Sequence, residues 1–149
     1  MQTMALAGAG VVLLLTVSVG IVAHELSHAA VLSLLGIRCD IDIGPRGVGT
    51  GQFDTGVFGT WAAVTPRGTS PETAAWAVRL ASVAPLLLAV PFVPVVAGVV
   101  PDPLQADSLL LSAWTVGWLA CAVPSPQDFS VFWHAERAVA EHLSGSPEV

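Results

Sequence analysis

Residues 4–36 read MALAGAGVVLLLTVSVGIVAHELSHAAVLSLLG, and the five residues HELSH, 24–28, stand inside an otherwise apolar segment. The segment is apolar on every side of a helix, a pattern that means burial in lipid or in a bundle. At about 1.5 Å per residue it would extend roughly 50 Å, beyond a hydrocarbon core of about 30 Å, so the helix must tilt, bend or protrude. Gly20 is the expected bend, and Gly36 the expected C-terminal stop. The stretch has no basic n-region and outlasts a signal peptide's apolar core of about 7 to 15 residues, so it reads as a retained helix.

In a helix, side chains at i and i+4 lie one above the other, which lets His24 and His28 close on one metal ion with Glu25 beside it. This is the H-E-x-x-H arrangement of zinc hydrolases, two imidazole ligands and a carboxylate placed to take a proton from water at the metal. Each ionisable residue in a membrane helix costs at least about 2 to 3 kcal/mol on insertion scales. Three clustered together are hard to retain as mere packing.

Composition supports the membrane setting. The 149 residues are 54% hydrophobic and 11% charged, with a mean hydropathy of +0.74, which allows one compact membrane-embedded unit. Five basic residues, all Arg, stand against eleven acidic ones, so the basic patch of a nucleic-acid binder is lacking and no nucleic-acid partner is expected. Cys39 and Cys121 lie far apart without a zinc-ligand spacing and read as unpaired thiols.

Three spans are expected, over about 4–36, 74–100 and 108–123. Pro85, Pro91 and Pro94 interrupt the second, which should be a kinked helix. Between the first two spans, 37–73 turns to Gly, Pro and Thr, and alternation in CDIDI and GQFDTGVFGTW suggests two to four short strands. A small β-hairpin or sheet at the membrane surface fits, and its edge could hold an extended peptide by strand addition. The tail, 124–149, holds an expected amphipathic helix over 129–143 with Phe129, Phe132, Trp133 and Val139 on one face, suited to lying on the membrane. The fold class is thus all-α membrane protein, a three-helix core with a small Gly-rich β segment between helices 1 and 2.

Arg38, Arg46, Arg67, Arg79 and Arg137 all fall on one side of that topology, which the positive-inside rule makes cytoplasmic. HELSH occupies the cytoplasmic half of the first span, and the third span delivers VPSPQDF, with Asp128, to the same side. A catalytic zinc usually takes three protein ligands. Ala30, Val31 and Leu34 occupy the positions where a zincin would carry its third His spacing. Asp128 is the best-placed third ligand; His134, Glu136, Glu141 and His142 sit on the amphipathic tail, where solvated charge is the default. A metal transporter would need a polar path, and spans two and three offer almost no ionisable residue for one.

HELSH, the Gly-rich strand stretch from GIRCDIDIG to GVFGTW, SVAPLLLAV around Pro85 and VPSPQDF around Asp128 together resemble the site-2 protease family of intramembrane zinc metalloproteases. The resemblance covers most of the chain. It implies a multi-pass integral membrane protease with one Zn2+ held by His24, His28 and Asp128, Glu25 as catalytic base, and single-span membrane-anchored proteins as substrates. Leu86, Leu87 and Leu88 stand where the family usually has Asn after the proline, and Cys121 stands where Asn is common. The alternative expectation is a membrane metal-binding or regulatory protein of the same fold without peptidase activity.

Overall fold

The computed structural model describes residues 2–43, 62–67 and 71–144. The chain is mostly helical, and three segments are long and apolar enough to cross a membrane: Gln2–Leu34, Ala75–Val96 and Leu109–Trp133. Only 11% of the most apolar window of the first is buried against the rest of the chain. Leu14, Leu15, Val19, Leu86, Leu87 and Val96 are among the many large side chains left facing outward. A contiguous apolar surface of this kind would be an aggregation liability in water and is the normal outer surface of a helix in lipid.

Helix α1 runs from Gln2 to Leu34 without interruption. Its end is a Schellman closure: Gly36 adopts φ 74°, its N–H donates to the Ser33 carbonyl at 3.0 Å, and the Ile37 N–H donates to Leu32 at 2.9 Å. Leu32 and Ile37 are buried together with Ala77 and Ala81, the apolar contact that normally seals such a cap.

At Gly20 the helix continues unbroken. A Cβ placed there would lie 2.5 Å from the Cys121 Sγ and 2.9 Å from its Cβ, so this glycine is where α1 touches α4, Leu109–Ala122. Gly117 approaches Leu13 and Thr16 closely, at 3.1 and 3.3 Å from a Cβ placed there, and Gly8 lies in ordinary contact range of Leu110. The two helices therefore run parallel along a seam of small residues, the usual way for membrane helices to gain van der Waals contact. Gly20→Ala should lower stability by about 1 to 3 kcal/mol, because the clash involves the Cβ of Cys121 and cannot be relieved by a rotamer change. Thermal unfolding in lipid checks this, and an unchanged midpoint would contradict the close approach.

After α1 come strands β1, Arg38–Ile43, and β2, Ala62–Arg67, paired antiparallel with Arg38 opposite Arg67 and Ile43 opposite Ala62. The turn a hairpin needs, and any strand over GQFDTGVFGTW, fall within 44–61, outside the described residues.

The second span is not one kinked α-helix. Helix α2, Pro71–Ser82, gives way to a 3₁₀ segment over Ala84–Phe92 and then to the single turn α3, Val93–Val96. The 3₁₀ stretch is far longer than the usual three or four residues; Pro85 stands in its first turn, where no donor is needed, and Pro91 removes a backbone donor inside it, while Pro94 follows in α3. The Leu88 carbonyl, whose 3₁₀ partner would be residue 91, instead accepts from the Trp118 indole N–H at 2.9 Å. A neighbouring helix thus satisfies the group that Pro91 leaves open.

Helix α4 stops at Ala122 because Val123, preceding Pro124, is extended at φ −78°, ψ 127°. The C-terminal amphipathic segment is two helices rather than one, α5, Pro126–Trp133, and α6, Ala135–Ser144. Arg79 donates from Nε to the Phe132 carbonyl at 3.2 Å and pairs with the Glu136 carboxylate. The carbonyl that would continue the helix across His134 is therefore engaged from α2. Nor do the tail's apolar residues share one face: Val139 is buried with Ala75, Val78 and Ala135 against α2, whereas Phe129 and Trp133 are exposed.

Candidate metal centre

The parallel course of α1 and α4 decides what meets what. His24 and His28 lie one turn apart on α1, with ring centroids 4.9 Å apart and planes at 77°. His24, Glu25 and His28 each offer one ligand atom, all within 4.8 Å of one another, so this group could hold a metal ion.

Each ring is held from behind by a backbone carbonyl. His24 Nδ1 lies 2.8 Å from the Cys121 carbonyl at the end of α4, and His28 Nδ1 lies 2.7 Å from the Ala81 carbonyl at the end of α2. A carbonyl can only accept, so both Nδ1 atoms carry hydrogen and donate. In the neutral rings the lone pair then sits on Nε2, the tautomer that metal-ligating histidines commonly adopt when a carbonyl holds the other nitrogen.

Both Nε2 atoms face Asp128. Its Oδ2 is 3.2 Å from His24 Nε2 and its Oδ1 is 3.2 Å from His28 Nε2, and all three side chains are 10–15% exposed. His28 Nε2 is buried without a hydrogen bond of acceptable geometry. Two imidazole lone pairs and a carboxylate at this distance repel one another unless positive charge lies among them. That charge is either a proton shared with Asp128, as the His24 Nε2 to Oδ2 hydrogen-bond distance of 3.2 Å allows, or a metal cation, for which two imidazoles and a carboxylate are a suitable donor set.

Asp128 is fixed by its own local structure. Ser125 is the N-cap of α5: its hydroxyl accepts from the Asp128 N–H at 3.1 Å, and its N–H donates to Asp128 Oδ2 at 2.6 Å, a reciprocal capping box with Pro126 in the first turn. The helix dipole also favours a carboxylate in that first turn. The signal for Ser125 is in the sequence, since Ser-Pro-Gln-Asp has the S-x-x-D spacing of a cap, and its link to the site is a structural finding.

The other tail candidates divide differently. His134 is exposed and caps the end of α5 through its backbone N–H to Ser130. Glu136 points to Arg79, and its own backbone N–H, followed by Arg79, holds its carboxyl below the ordinary Glu value. The side chains of Glu141 and His142 lie outside the described residues, as does that of Cys39. The Cys121 thiol is unpaired and rests against Gly20 and the Val17 carbonyl. The two carbonyls of Ala81 and Cys121 are the parts of the site that side-chain motifs could not reveal.

Comparison with protein-family models, with curated proteins and with solved structures finds no match to this chain.

Proposed function

We propose that this chain is an intramembrane zinc metalloendopeptidase of the site-2 protease type, acting on peptide bonds in or near the spans of single-span anchored proteins. The observation that carries the reading is the convergence of two Nε2 lone pairs and the Asp128 carboxylate, with Glu25 adjacent, inside segments apolar enough to cross a membrane. In this reading His24, His28 and Asp128 hold one Zn2+, three protein ligands that leave a position open. When bound, zinc supplies Lewis-acid polarisation of a water and of the scissile carbonyl.

The chain's own groups do the rest. Glu25 takes one proton from the attacking water, whose oxygen bonds to the carbonyl carbon. It returns that proton to the leaving amine nitrogen as the C–N bond breaks. Asp128, locked by Ser125, balances the positive charge. An edge of the β1–β2 pair holds the substrate extended, since a helical peptide bond is shielded until its segment unwinds. The arginine distribution supports an orientation with the site towards the cytoplasm.

The test is metal analysis and cleavage of a single-span reporter by the purified chain in lipid. One zinc per chain, cleavage, loss of cleavage on chelation and its return with zinc are expected. Iron(II) in place of zinc would reassign the chemistry, because a two-histidine, one-carboxylate set suits it too. A zinc-loaded chain that cleaves nothing would be a metal-binding protein without peptidase activity. For the sidedness, a thiol reagent should reach Thr69→Cys from the cytoplasm and Gln2→Cys from outside, and the opposite pattern would reverse the topology.

A further inference from the structure

The two carbonyls that orient the histidines share an origin. The α-helical partner of the Ala81 carbonyl would be the N–H of residue 85, and residue 85 is proline, which has none. The 3₁₀ partner of the Cys121 carbonyl would be the N–H of residue 124, again proline. Its α-helical partner would be the N–H of Ser125, which is donated to Asp128 Oδ2 instead. A buried carbonyl left without a donor is costly, and in each case a histidine Nδ1–H takes the vacant place.

We infer that Pro85 and Pro124 are positioning residues of the metal centre: by lacking an N–H they free the Ala81 and Cys121 carbonyls, which select the Nδ1–H tautomers and aim both Nε2 atoms at Asp128. The inference rests on the metal reading for its affinity consequence but not for the tautomers themselves. Pro91 supplies an internal contrast. It frees a carbonyl in the same segment, and Trp118 rather than a histidine takes it.

Pro85 is also among the most deeply buried side chains, so loss of the N–H gap must be separated from loss of the ring. Three forms of the full chain in lipid do this: Pro85→Ala, which introduces an N–H; lactic acid at position 85, which matches alanine in shape and has no N–H; and Pro91→Ala. The readouts are ¹⁵N spectra of the histidine rings in metal-free protein, at a pH where the rings are neutral, and zinc affinity by chelator competition. Wild type should show His24 and His28 as Nδ1–H. Pro85→Ala should move His28 towards the Nε2–H form and weaken zinc about 10- to 100-fold, the size of an outer-shell loss. The lactic acid form should restore both, and Pro91→Ala should change neither. Pro124→Ala should move His24 in the same sense.

An unchanged His28 in Pro85→Ala, or a lactic acid form as impaired as the alanine form, overturns the inference. So does an Nε2–H ring at His28 in wild type, a result available even if Pro85→Ala does not fold. If wild type takes up no zinc, the metal reading falls, and the tautomer shift between Pro85→Ala and wild type still decides this one.

Discussion

Glu25→Gln is expected to retain zinc and to lose cleavage by about 10² to 10⁴-fold, the usual worth of a positioned general base. Glutamine keeps the size and the hydrogen-bonding shape of the side chain and removes its ability to accept a proton. The variant also decides between two ligand sets. His24 and His28 can be completed by Glu25, whose ligand atom lies within 4.8 Å of theirs, or by Asp128, whose oxygens lie 3.2 Å from both Nε2 atoms. If Glu25 is the base, zinc content stays at one per chain while turnover collapses. If Glu25 is a ligand, zinc and turnover fall together. Full cleavage by Glu25→Gln would sink the proposed chemistry.

Asp128→Ala should weaken zinc by more than the about 10- to 100-fold of an outer-shell change, because in the proposed ligand set it removes both a ligand and the counter-charge of the pair of imidazoles. This substitution has a second effect that must be separated. Asp128 is the third residue of the capping box, so alanine also removes the acceptor of the Ser125 N–H and loosens the first turn of α5. Loss of an N-cap itself costs about 0.5 to 2 kcal/mol, and here the Ser125 hydroxyl keeps its bond to the residue-128 N–H, so the cost lies towards the lower end. Asp128→Asn separates the two contributions: the amide oxygen still accepts from Ser125, and the negative charge is gone. Chelator competition should therefore rank wild type well above Asn, with Ala lowest, whereas thermal unfolding of the metal-free chains should leave Asn near wild type. Zinc binding by Asp128→Ala at wild-type strength would move the third ligand elsewhere.

HELSH is legible because its meaning is local: the helical repeat alone stacks positions 24 and 28, and the surrounding apolar run alone says that the helix leaves water. The end of α1 is legible for the same reason, Gly36 being able to take the positive φ that closes the helix. Gly20 shows the limit. Its reading as a bend looks only along α1, and the contact it makes becomes visible only with the position of Cys121 on α4. The proline-rich second span was readable as interrupted but not as 3₁₀, because the choice depends on whether a distant group such as the Trp118 indole satisfies the carbonyls that the prolines release. The tail helix broke at His134 for a comparable reason, with Arg79 of α2 holding the Phe132 carbonyl.

By itself the sequence determined the H-E-x-x-H motif, its apolar setting and the number of segments able to span, since each depends on residue type and short-range period. Only the tertiary structure decided that Asp128 lies against both Nε2 atoms and that Ala81 and Cys121 present their carbonyls to the rings. Those contacts join residues separated by 53 to 104 positions. A carbonyl belongs to every residue alike, so no side-chain pattern marks the two that matter. Helix packing, and the donors that prolines withhold, single them out.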